Sequence, residues 1–108
     1  MSKANTYTYR ITWSPDDGEH VGLCAEFPSL SWLDPDPGCA LSGIMSLVME
    51  VVAEMEQNGE VVPEAFSEKR YSGNIPARVT PMVHRKLAIE AAEKGISMNR
   101  LVAAKLAL

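Results

Sequence analysis

Among the carboxylates between residues 16 and 36 are Asp16, Asp17, Glu26, Asp34 and Asp36, the side chains best suited by type to hold metal ions for phosphoryl transfer. Such chemistry needs several carboxylates converging on one sheet edge, so that two ions clamp the attacking and leaving oxygens. Here Asp16 and Asp17 share a turn, Glu26 is a lone strand acid, and Asp34 and Asp36 flank prolines. No convergent set emerges, so the sequence does not read as an enzyme. Cys24 and Cys39 lack metal-ligand spacing, and His20 and His84 lie in different segments. No metal site and no cofactor is expected, and both cysteines read as reduced, partly buried thiols.

The basic side chains are the other chemistry-bearing set, and they are segregated. Residues 1–68 carry only Lys3 and Arg10 against twelve acids, a net −10; residues 69–108 carry eight bases against Glu90 and Glu93, a net +6. The overall −4 hides this split. A basic end on an acidic body is the electrostatic footprint of a nucleic-acid reader joined to a second module. Length and a 46% hydrophobic content suit a globular protein with one good core or a small core plus an appended segment. No apolar run is expected to reach the length of a membrane span, and the start, Met1-Ser2-Lys3-Ala4-Asn5, is too polar for a secretory signal. A cytoplasmic protein without membrane contact is the expectation.

The elements that position these residues follow two plans. In the first, Tyr7, Tyr9, Ile11 and Trp13 alternate with polar residues, as in a half-buried strand. The turn Ser14-Pro15-Asp16-Asp17-Gly18 leads to a second strand, with Val21, Leu23, Ala25 and Phe27 on the face expected to join those aromatics in the core. A short third strand is expected over residues 30–33. Asp36 then caps a helix with Pro37 in its first turn and an apolar stripe of Leu41, Ile44, Val48, Val51 and Met55, ended by Asn58-Gly59. The expectation is an α+β domain over residues 1–62, a small antiparallel sheet with one packing helix. Residues 63–72 read as a linker.

Residues 73–108 follow the second plan: strand, helix, turn, helix. Ile75, Ala77 and Val79 alternate with Asn74, Pro76 and Arg78. Thr80-Pro81 opens one helix with stripe Val83, Leu87 and Ala91; Gly95 stops it, and Ser97 caps a second with stripe Met98, Leu101, Val102 and Leu106. A strand without a mate leaves its backbone groups unpaired, and two short helices bury too little to stand alone. Antiparallel pairing with a second copy solves both problems. The result is a ribbon-helix-helix homodimer, whose two-stranded ribbon enters the DNA major groove.

Residues 71–102, above all the motif Gly95-x-Ser97-x-Asn99, resemble the C-terminal Arc-like segment of HicB-family antitoxins. Residues 7–13 and 21–28, the helix that carries Ala40-Leu41, and Gly59-Glu60 are similar to that family's partial RNase H-like domain. The resemblance implies that Asn74, Pro76 and Arg78 face the groove, with Arg78 bonding guanine and Asn74 reading adenine or a phosphate. It also implies that Ser97, Met98 and Asn99, at a helix N-terminus, meet a DNA phosphate. Pro76 departs from the polar reader usual there, and Thr80 stands where proline is frequent.

The function implied is that of a type II antitoxin. The acidic front domain would neutralise a HicA-type RNA-cleaving toxin, and the basic tail would repress the operon's own promoter by binding its operator. The alternative is a stand-alone ribbon-helix-helix transcriptional regulator without a cognate toxin. Pairing of dimers into tetramers stays open.

Overall fold

The computed structural model describes residues 3–108, which form an α+β protein of one three-stranded antiparallel sheet and three α-helices, divided into two compact units over Met1–Tyr71 and Ser72–Leu108. In the first unit a 3₁₀ turn, Lys3–Thr6, precedes β1 (Tyr9–Ser14), β2 (Glu19–Cys24), β3 (Ser31–Asp34) and α1 (Pro37–Gln57). The strands run β1-β2-β3 across the sheet, each antiparallel to its neighbour. Gly18, at φ 64°, takes the left-handed position of the β1–β2 turn, which an Asp-Gly pair supplies at little cost.

The face of β2 that meets the helix is the opposite of the one expected. Register pairs Tyr9 with Cys24, Ile11 with Gly22 and Trp13 with His20, so these six share a face. Gly22 and Cys24 are buried there, beneath Ile44 of α1, while Val21, Leu23 and Ala25 fall on the other side of the sheet. Alternation in sequence defines two faces without saying which one is covered. Gly22 decides it: a Cβ there would lie 2.6 Å from the Ala40 carbonyl oxygen and 2.8 Å from Ile44 Cγ2. The missing side chain lets α1 lie close on the sheet.

The helix begins as its sequence dictates. The Asp36 carboxylate accepts the Cys39 N–H at 2.9 Å, and Pro37 occupies the first turn, where its lost N–H costs nothing. Its buried line is Ala40, Ile44, Val48 and Val52, with Val51 and Met55 packed at the margin; Leu41, expected in the stripe, is exposed. Gly59, at φ 70°, ends the helix, and the Glu60 N–H returns to the Met55 carbonyl. By length and composition α1 is apolar enough to cross a membrane, contrary to expectation. Four of its residues are buried in the first unit, against the sheet and the flanking segments.

Tyr7 and Phe27 close this core edge to face, with ring centroids 5.6 Å apart. Trp13, expected in the core with them, is 53% exposed at the far end of β1. Residues 62–67 pack on the same unit. Ala65 is in the core, the Tyr7 hydroxyl donates to the Pro63 carbonyl at 2.6 Å, and Ser67 donates to the Thr6 carbonyl at 2.7 Å. Glu26 fastens this strap. Its buried carboxylate accepts the N–H of Thr8 (2.9 Å) and of Phe66 (3.0 Å), the Thr8 hydroxyl (3.2 Å) and the Cys24 thiol (3.6 Å). Burial alone would raise its pKa, yet the donors from Phe66 and Thr8 outweigh it and hold the carboxyl below the usual range.

Candidate nucleic-acid interface

The second unit is built from local signals. Thr80 caps α2 (Pro81–Lys94) by accepting the Val83 N–H at 3.3 Å, with Pro81 in the first turn. Gly95 (φ 66°) ends α2, its N–H bonding the Ala92 carbonyl and the Ile96 N–H the Ala91 carbonyl. One residue later Ser97 caps α3 (Met98–Leu106) by accepting the Arg100 N–H at 3.1 Å. Ala91 and Leu101 are the buried residues of this unit. Glu90 ties the helices together through Lys105, 3.0 Å away, and reaches Lys94 at 3.7 Å. The Lys105 hydrogen bond is the main reason its carboxyl sits below the usual range.

So little burial leaves an open apolar surface. Ile75, Val79, Val83 and Leu106 are exposed, Ile75 by 75%. An open concavity of about 900 Å³ lies between residues 73–79 and the two helices, with Leu87, Val102, Leu106 and His84 in its lining. Residues 74–79 form no strand in the single chain, and Ile75 to Val79 make no ladder hydrogen bond within it. Their alternating pattern has no mate to pair with here.

The candidate residues are distributed as follows. Asn74 and Arg78 on the extended segment, and Met98 and Asn99 on α3, line the one concavity. Pro76 and Ser97 are exposed and stand outside its lining; the Ser97 hydroxyl is engaged as the α3 cap. Asn74 donates its N–H to the Ser72 hydroxyl at 3.1 Å. Asn99, in the first turn of α3, is not the capping residue, so its side chain is not used in closing the helix. No cluster of three or more histidine, cysteine or acidic side chains able to hold a metal occurs among the described residues. Both cysteines are free thiols: Cys24 is buried, and Cys39 is exposed rather than partly buried.

What sequence reasoning missed lies in the first unit. Trp13, beside His20, and Trp32, paired with Gly22, are both exposed toward the end of the sheet where β1 turns into β2 and α1 begins. A signal for this existed, since the turn before Glu19 and the Asp34-Pro35-Asp36-Pro37 run leave little apolar chain to cover either ring.

These features define a class: a small acidic sheet-and-helix unit followed by a basic two-helix unit whose extended entry lacks a strand partner. The model of the HicB family matches residues 59–106, from the glycine that follows the α1 C-cap through α3. The match takes in the basic unit and the strap, and leaves the sheet and α1 outside it. No curated protein and no solved structure matches the chain.

Proposed function

We propose that this chain is a HicB-family antitoxin of the cytoplasm and not an enzyme: a homodimer whose tail binds operator DNA and whose front unit neutralises a HicA-type RNA-cleaving toxin. The observation that carries the reading is the family match over residues 59–106, falling on a unit with only Ala91 and Leu101 buried. Such a unit needs a second copy to cover Ile75, Val79 and Leu106 and to pair residues 74–79. Ribbon-helix-helix dimerisation supplies both, with Asn74, Pro76 and Arg78 turned to the major groove. Arg78 is the long donor that would bond guanine, and the α3 N-terminus at Ser97, Met98 and Asn99 would meet a phosphate. The front unit, likened to a partial RNase H-like domain, carries no lysine or arginine between Arg10 and Lys69, which suits capture of a basic partner.

Co-expression with the product of the adjacent reading frame tests this directly. The full chain is expected to abolish the growth arrest that product causes, to co-purify with it, and to shift a DNA fragment from its own promoter. Failure of both rescue and co-purification overturns the antitoxin reading.

A second reading has an observation of its own. The family match begins only at Gly59, leaving the sheet and most of α1 unmatched. In that case the protein is a stand-alone ribbon-helix-helix regulator, and promoter binding persists while no toxin is neutralised.

A further inference from the structure

We propose that the corner formed by Trp13, His20 and Asp34 docks an arginine side chain of a basic protein partner. Register sets Trp13, His20 and Asp34 side by side in one row across the three strands, all facing the α1 side of the sheet. Trp13 stands edge to face on His20, with ring centroids 5.0 Å apart, and still leaves 53% of its surface to solvent. Strand spacing puts β1 and β3 roughly 10 Å apart across β2. Indole and carboxylate therefore stand on opposite sides of His20. In the adjacent row Trp32, paired with Gly22, lies against Gly43 of α1, and a Cβ at Gly43 would collide with the indole. That contact seats the second exposed ring at the margin of the corner.

Two exposed tryptophans on a small unit are unusual outside an interface, where such rings anchor a partner. The surrounding charge selects the partner. Asp16, Asp17, Glu19, Asp34 and Asp36 all lie at this end of the sheet, in the β1–β2 turn and at the β3–α1 junction, without a neutralising lysine or arginine. The rings are thus no stacking platform for nucleic acid, whose phosphates these carboxylates would repel. Nor is a metal ion the occupant, since these acids do not converge as ligands. A guanidinium fits both halves: its plane stacks on an indole and its donor fork meets a carboxylate. Asp34 is held ready, because the Asp36 N–H donates to its Oδ1 at 2.9 Å.

The inference rests on the antitoxin reading, the basic partner being the toxin. Full-length protein, Trp13→Ala and Asp34→Asn are titrated with the purified adjacent-frame product and with a capped peptide of alternating glycine and arginine, and indole N–H signals are followed by NMR. Thermal melts of the variants report that each is folded; Trp13 is exposed and Asn retains the oxygen that accepts from Asp36. The peptide is expected to shift the Trp13 indole signal first, and each substitution to weaken binding of both ligands by about tenfold or more. Unaltered partner binding in Trp13→Ala overturns the corner and leaves the antitoxin reading standing. A wild-type chain that binds no adjacent-frame product overturns the antitoxin reading, and the peptide then decides the corner alone. Peptide shifts spread evenly over the acidic surface, unchanged by Trp13→Ala, reduce the corner to unspecific attraction and overturn it.

Discussion

The Glu26 carboxylate accepts the Phe66 backbone N–H at 3.0 Å, joining the end of the sheet to a strap 40 residues further along the chain. The same carboxylate holds the start of β1 through Thr8. One buried side chain therefore fixes both approaches to the core, and its charged form is the one with the partners.

Replacing it tests that role. Glu26→Gln keeps the shape but weakens charge-assisted bonds and turns an NH₂ donor toward N–H groups, so a loss of roughly 1–3 kcal/mol is expected in urea unfolding of the first unit. The pH sign follows from the lowered carboxyl. Stability from Glu26 is present above its unfolded-state pKa, near the ordinary glutamate value of about 4.3, and is lost as pH falls through the lower folded value. The acid limb of the stability profile should flatten in Glu26→Gln. A profile parallel to wild type would show that the carboxylate is not what holds the strap.

Gly22 and Gly43 both face a close neighbour, and the neighbours differ in how easily they yield. At Gly22 the obstacle is the Ala40 backbone carbonyl and the branched carbon of Ile44; at Gly43 it is the indole of Trp32, on a side chain 42% exposed. Gly22→Ala must move the helix, at a cost of about 1–3 kcal/mol typical of overpacking. In Gly43→Ala the indole can swing to solvent, so the loss should be smaller and Trp32 fluorescence should shift to the red. Thermal melts and emission spectra of the two variants separate the cases.

The alkaline limb has its own residue. The Tyr9 hydroxyl donates to the Ala4 carbonyl at 2.7 Å, and burial, with the Cys24 and Glu26 charges adding to it, pushes its pKa up to about 12. A raised folded value means stability that is complete below the unfolded tyrosine pKa of about 10 and is lost as pH climbs toward 12. Tyr9→Phe should be less stable at neutral pH and should lose less of its stability between pH 9 and 12. Denaturation at a series of pH values, with tyrosinate absorbance read alongside, checks both.

Features encoded within a few residues were legible in the sequence. The caps Asp36, Thr80 and Ser97, the stops at Gly59 and Gly95, and the three strands sit where local chemistry puts them. Choices made between distant segments were not. Periodicity of two shows that Gly22 and Cys24 oppose Val21 and Leu23, but only the approach of α1 decides which pair is covered. The helix stripe moved from Leu41 to Ala40 for the same reason: a small residue is needed where the helix crosses a glycine. Glu26 reads as a stray acid because its partner at Phe66 has no periodic relation to it. The extended segment at residues 74–79 shows its alternation in sequence and forms no ladder in the single chain, and its apolar residues Ile75 and Val79 stay exposed.

That segment carries the last prediction. Arg78 is exposed and is the sole long cationic donor among residues 71–80, and a dimer would present it twice. Arg78→Ala should cost roughly 1–3 kcal/mol per half-site on operator DNA and blur selectivity at the contacted base pair. Lys86, exposed on α2 and free of the Glu90 pairing that engages Lys94, is the better candidate for phosphate. Lys86→Ala should weaken operator and scrambled DNA alike, and lower the salt slope by about one for each phosphate left without its lysine. Gel-shift titrations at several salt concentrations distinguish the two. Should Arg78→Ala bind operator as tightly and as selectively as the parent chain, the extended segment serves only to join two copies, and DNA, if bound, is held elsewhere.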